Sequence, residues 1–167
     1  MKKTHSFLFI LMVLSLSAYK IYSLSGASIS PDTKTVSVAY IENNAALVNP
    51  TLSQTLTESL KDRIVSQTGL QLIRTTADLD FEGTIVDYSV KPLAIQGNEF
   101  AAQNRLTISV KIRFSNNKDE SKNFEQVFTR YADYPGTQTL STVEADLIKT
   151  INTQLIDDIF NKAFVNW

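Results

Sequence analysis

The sequence predicts an α+β protein, a two-layer sandwich in which two helices cover a mixed sheet of four to five strands. Three observations carry that reading. Leu106, Ile108, Val110, Ile112 and Phe114 alternate without exception with Thr107, Ser109, Lys111 and Arg113, as a strand with one buried face requires. Two separate stretches place apolar residues at helical spacing. The order strand, helix, several strands, helix gives each helix one stripe and the sheet one face to bury, which two layers satisfy.

Val36, Val38 and Tyr40 alternate with Thr35, Ser37 and Ala39, so a first strand with one apolar face is expected, ending at Asn43-Asn44. Asn49-Pro50 opens the first helix, because Asn accepts from first-turn amides and Pro has no amide proton to leave unpaired. Leu52, Leu56, Leu60 and Ile64 form its stripe, and Gly69 suits a left-handed stop. Leu70 and Leu72 suggest a short edge strand. Leu79, Phe81, Gly83 and Ile85 alternate with Asp80, Glu82 and Thr84, then the phase switches and Val86, Tyr88 and Val90 carry the apolar side onward. One residue too many, close to a glycine, predicts a bulge. After the strand ending at Phe114, the polar segment 115–122 is expected to turn and return through Phe124, Val127 and Phe128 toward Tyr131. Ser141 and Glu144 have capping-box spacing ahead of Leu147, Ile148, Ile151, Leu155, Ile159, Phe160 and Ala163, a long amphipathic helix.

A chain of 167 residues suits one domain. Its 43% hydrophobic and 20% charged residues argue against disorder. Lys2 and Lys3, an apolar run from Phe7 to Leu14, and the small residues Ser15, Ser17 and Ala18 have the layout of a secretory signal peptide. The run is shorter than the ~20 residues of a membrane span. The expected organisation is a signal peptide at 1–18, a Ser-rich connecting segment at 19–34 and a single domain at 35–167.

Cleavage would remove Lys2, Lys3 and the single His5, leaving 14 basic and 17 acidic residues, a net charge of about −3, with neither His nor Cys. That composition excludes disulfides, thiolate metal sites and imidazole-based nucleophilic catalysis. It also disfavours nucleic-acid binding. No cofactor is expected. Leu16-Ser17-Ala18 has the form that precedes an acylated Cys in bacterial lipoproteins, but Tyr19 follows and has no thiol to acylate. Either the chain is cleaved as an ordinary secreted protein, for which Ser15-Leu16-Ser17 offers a site, or a Cys has been replaced.

Several segments, in order and spacing, resemble the LptE-type lipoproteins that assist lipopolysaccharide (LPS) assembly at the outer membrane of Gram-negative bacteria. They are Ile21 to Ile29, Val48-Asn49-Pro50-Thr51-Leu52-Ser53-Gln54, Phe81-Glu82-Gly83, Ala94 to Glu99 with Asn104-Arg105-Leu106-Thr107, Arg130 to Pro135, and Asp158 to Ala163 with Asn166-Trp167. The departure is Tyr19, where the family carries its lipidated Cys. The resemblance implies a small sheet covered by two helices and a non-enzymatic role as a plug and assembly partner of the β-barrel translocon LptD, contacting LPS, on the periplasmic side of the outer membrane. Ser, Thr, Asn and Gln make up 52 residues, and a surface that is neutral but hydrogen-bonding is compatible with a polar barrel lumen.

Candidate site residues follow from position and type. Arg105, Lys111 and Arg113 share a parity on the clearest strand, where Arg forks and a Lys point charge could engage LPS phosphates; solubility of a polar strand face explains the same pattern. Ile95, Gln96, Asn98 and Phe100, in the stretch between the second and third long strands, with Tyr134 and Trp167, are candidate partner contacts, whereas Tyr131 reads as core edge. Asp78, Asp80 and Glu82 recur every second residue. They support the alternative of a secreted hydrolase or carbohydrate-binding domain, against the simpler expectation of a solvated strand face. Asp157 and Asp158, about 100° apart on a helix, are not expected to converge.

Overall fold

The computed structural model describes residues 29–93 and 102–165. In chain order the elements are β1 (Thr35–Val38), β2 (Glu42–Asn43), α1 (Leu52–Thr68), β3 (Gln71–Leu72), β4 (Leu79–Leu93), β5 (Gln103–Asn116), β6 (Phe124–Pro135) and α2 (Leu140–Phe164), with one 3-10 turn at Glu120–Lys122 between β5 and β6. They form one mixed sheet in the order β3-β1-β4-β5-β6, with β2 also paired to β4. The three short strands run parallel to their neighbours, while β4, β5 and β6 form an antiparallel meander. The α+β class and the two covering helices are as expected; the strand count is six because the first predicted strand is broken in two.

That break has a side-chain cause. Val36 and Val38 point inward, but Tyr40 is 58% exposed and Ile41 takes the next buried position. The shift from even to odd leaves the Ile41 amide without a ladder partner, and Thr57 of α1 supplies one: its Oγ1 accepts from Ile41 N–H at 3.0 Å while donating to Ser53 O at 2.7 Å. The chain then rejoins the sheet as β2. Gly83 makes the room, since a Cβ there would sit 2.7 Å from Ile112 Cδ1 and 3.2 Å from Ile41 Cγ1.

The helices lie on one face of the sheet. Leu52, Leu56, Leu60 and Ile64 of α1 are fully buried. Asn49 Oδ1 takes the Thr51 amide at 3.0 Å just ahead of the first turn, and Gly69 stops the helix at φ +69°, its amide donating to Val65 O. In α2 the stripe Ile148, Ile151, Leu155, Ile159, Phe160 and Ala163 is buried and extends to Phe164. The Ser141–Glu144 capping box does not form. Thr139 is the N-cap residue and makes no side-chain cap bond, and the Glu144 carboxylate instead accepts the Tyr88 hydroxyl. Tyr88 is buried on β4, and a buried phenol needs an acceptor, so the acid serves the sheet rather than its own first turn.

The predicted bulge sits at Val86: Ile85 opposes Val110 and Asp87 opposes Ser109, leaving Val86 over and 42% exposed, contrary to its expected inward position, before burial resumes at Tyr88. Each of the five apolar residues of β5 is essentially inaccessible. Full burial of such a side chain contributes roughly 1.5–3 kcal/mol, so this strand is the centre of the core. Phe81, Phe114, Phe124, Phe160 and Phe164 close one end of it, with ring centroids 4.8 Å apart for Phe81–Phe114 and 5.2 Å for Phe114–Phe124. Packing begins ahead of Thr35, because Ile29 rests on the core and Thr33 is buried. Among the described residues no helix is long and apolar enough to cross a membrane.

Candidate functional site

With both helices on one side, no element among the described residues covers the other face of β4, β5 and β6. Period-two geometry puts Arg105, Thr107, Ser109, Lys111 and Arg113 of β5 on it, flanked by Glu82, Asp87 and Ser89 of β4 and by Glu125, Val127, Thr129, Tyr131 and Asp133 of β6. Each of the three predicted cations has an acid beside it. Arg105 lies directly opposite Asp133 and forks onto it, Nε to Oδ1 at 2.7 Å and Nη2 to Oδ2 at 2.9 Å, while its guanidinium stacks 3.5 Å above the Tyr131 ring. This pairing holds the Asp133 carboxyl below its ordinary range and raises Arg105 further. Lys111 and Arg113 are held far more loosely, at 3.7 Å from Glu125 and 3.6 Å from Glu82, and their heads remain exposed. Ser109 and Thr129 share a hydrogen bond at 2.8 Å between these charged pairs.

The row is therefore one face, as parity predicts, but not one cationic site. Six residues of strand, about 20 Å at the usual rise, separate Arg105 from Lys111. Arg105 is committed to Asp133 and Tyr131. Within the β5 row, Lys111 and Arg113 keep heads that a phosphate could approach, and Lys91 of β4, opposite Arg105 on the same face, is exposed as well.

The acid row is arranged otherwise than expected. Asp78 lies before β4 rather than on an open strand face. Its Oδ2 accepts the backbone amides of Lys34 at 2.9 Å and Thr35 at 3.1 Å, its own amide donates to Thr35 Oγ1, and Lys118 sits 3.1 Å from Oδ1. The Lys34 amide and then Lys118 hold this carboxyl well below the usual carboxylate range. Asp80 takes the Ser37 hydroxyl, the Ala77 amide and the Asn117 side-chain amide. Only Glu82 faces solvent. Two of the three acids are thus ties between β1, the start of β4 and the loop after β5, and the solvated-face expectation is corrected for them. Among the described residues no three His, Asp, Glu or Cys side chains are grouped to hold a metal.

Asp157 and Asp158 diverge: Asp157 reaches Arg63 of α1 at 2.8 Å, and Asp158 takes a forked pair from Arg130 of β6 at 2.6 and 2.7 Å. The two tyrosines exchange their expected places. Tyr131, expected at the core edge, is half exposed on the open face, whereas Tyr134, expected to meet a partner, is 5% exposed. Strand parity decides this, since residue 131 opposes Thr107 and residue 134 opposes Asn104. Tyr19, Ile95, Gln96, Asn98, Phe100 and Trp167 lie outside the described residues, as does the signal segment.

Sequence reasoning passed over Asn152. It sits four residues after Ile148 and among Ile151 and Leu155, on the apolar stripe of α2, and is 3% exposed. A polar residue at a stripe position was the available signal.

A family model described as LptE, lipopolysaccharide-assembly, matches residues 33–163. No curated protein matches the sequence. Among solved structures, a minor lipoprotein from Acinetobacter baumannii is similar at 15% identity over 78% of this chain and 91% of that one, with a TM-score of 0.51. Lipoprotein B from Nitrosomonas europaea is similar at 15% identity over 85% and 87%, with a TM-score of 0.50. These two likenesses show the fold: two helices over a mixed open sheet. With the family model spanning both helices and all six strands, the chain belongs to the LptE lipopolysaccharide-assembly family.

Proposed function

We propose that this chain is a non-enzymatic subunit of an outer-membrane LPS translocon, seated through its open sheet face in the lumen of an LptD-type β-barrel and contacting LPS during insertion into the outer leaflet. The observation that carries the reading is the chemistry of that face. It is uncovered by the helices, rich in hydroxyls, and arranged so that each of its three β5 cations stands beside an acid. Such a surface offers donors and acceptors without a strong net field, which suits the polar interior of a barrel. The exposed heads of Lys111 and Arg113 are where an LPS phosphate could compete with Glu125 and Glu82 at little cost, because exposed ion pairs contribute only about 0–1 kcal/mol. Arg105 acts instead as a positioning residue for Tyr131.

Placement is exported, at the periplasmic side of the outer membrane and within the barrel; Tyr19 leaves no thiol for an acyl anchor. The hydrolase or carbohydrate-binding alternative draws no support from the acid row, whose first two members are saturated by hydrogen bonds.

The test is affinity purification of the tagged chain from outer membranes after co-expression with the barrel. Stoichiometric recovery of the barrel is expected. Recovery of the chain only as a free periplasmic species overturns the reading.

A further inference from the structure

Helices α1 and α2 run parallel: Thr51 and Ser141 flank one end of a shared cleft, and Arg63 meets Asp157 toward the other end. The cleft opens on the helical side, away from the open sheet face, and has a volume of about 480 Å³. Thr51, Thr55 and Ser59 line one wall, and Ile148, Asn152 and Ile156 lie on the opposite helix. Asn152 is 3% exposed, yet among the described residues neither its Nδ2 nor its Oδ1 has a hydrogen-bond partner. An orphaned buried amide destabilises a protein by its desolvation, so a residue retained at that position calls for a partner that the fold itself does not supply.

We propose that this cleft is a binding site for a short extended peptide segment without charge, with Asn152 pairing to one backbone N–H and one backbone C=O. The chemistry of the walls selects that ligand. The charged groups lining the cleft are one acid and one base, Glu144, which accepts the Tyr88 hydroxyl, and the exposed Lys149, so the lining carries no net charge for a charged guest to answer. Thr51, Thr55 and Ser59 repeat once per helical turn, a spacing of about 6 Å, close to the ~6.6 Å two-residue repeat of an extended chain. The three hydroxyls therefore fall in step with successive peptide groups on one side of the guest, Thr51 as an acceptor only, since its own proton goes to Asn49 Oδ1 at 2.9 Å. Two such intervals accommodate about four to five residues. Ile148 and Ile156 take its apolar side chains, as in other sites where backbone pairing supplies affinity and pockets supply choice.

The test uses the ¹⁵N-labelled protein and a pool of N-acetylated, C-amidated pentapeptides without ionisable side chains, read at the Asn152 side-chain NH₂ resonances and the Thr55 and Ser59 amides. Saturable shifts at these groups are expected, with no matching shifts from chito-oligosaccharides at equal concentration. Asn152→Leu should fold with an unchanged or raised thermal midpoint and bind about tenfold or more weakly. Thr55→Trp, placed at an exposed wall position, should block the cleft without unfolding the chain. Absence of saturable peptide shifts, equal shifts from the saccharide, undiminished binding by Asn152→Leu, or a lowered midpoint in that variant overturns the proposal. Barrel co-purification is scored separately, so failure of either reading leaves the other open to judgement.

Discussion

The two faces of β5 are built from alternate residues of the same strand and are held in place by different physics. Inward, Leu106, Ile108, Val110, Ile112 and Phe114 lose essentially all contact with water. Outward, Thr107, Ser109, Lys111 and Arg113 meet only cross-strand neighbours, and the cations there are paired at 3.6 Å or more apart from Arg105. Non-directional burial makes the inner face the source of stability, whereas the outer face can change partners at small cost. The start of β4 breaks this division. There Asp78 and Asp80, polar by type, are bound so fully that they behave as part of the frame.

Truncating the inner face should have the largest effect. Phe114→Ala is expected to cost about 3–5 kcal/mol by urea denaturation, against about 0.5 kcal/mol or less for Thr107→Ala on the outer face. Similar costs for the two would dissolve the distinction between the faces.

Asp78→Asn should come next. The variant loses the charge that Lys34, Thr35 and Lys118 converge on, so its urea midpoint at pH 7 should fall, and by more than that of Glu82→Gln. The sign of the pH dependence follows from a depressed carboxyl. Its contribution is present above the unfolded-state value near 4 and is lost as pH falls toward the lower folded-state value. The parent and Asp78→Asn should therefore converge in stability as the solution is acidified below about pH 4, and a constant gap down to low pH would assign the effect to lost hydrogen bonding alone.

Neutralising Lys111 and Arg113 together to Gln separates stability from function on the outer face. The unfolding free energy should change by no more than about 1 kcal/mol, since both pairs are exposed, while LPS binding and cross-linking to LPS should decline severalfold. Retention of LPS contact by the double variant would move the contact elsewhere on the molecule.

The smallest effect is expected from Ser141→Ala. A working N-cap typically contributes ~1 kcal/mol, but Ser141 already lies inside the first turn of α2 and Glu144 is given to Tyr88. A shift within about 0.3 kcal/mol fits this geometry, and a full capping loss would show that the box forms in solution.

The elements that the sequence alone determined are those with local periods. The five inward residues of β5, the Leu52 to Ile64 stripe of α1, the left-handed Gly69 and the bulge at Ile85-Val86 all follow from side-chain direction along one stretch of chain, which covalent geometry dictates. The tertiary structure alone decided what each polar side chain meets. Asp78 finds its amides 44 and 43 residues away, and Tyr88 captures Glu144 across 56 residues, dissolving a capping box that local spacing had predicted. It likewise turned Tyr131 outward and Tyr134 inward, broke the first strand where Thr57 could take up the Ile41 amide, and left Asn152 without a partner on an apolar stripe. Burial of apolar groups is non-directional and can be read from pattern, whereas a hydrogen bond needs its partner within about 3 Å at the right angle, and that partner is brought there only by the assembled fold.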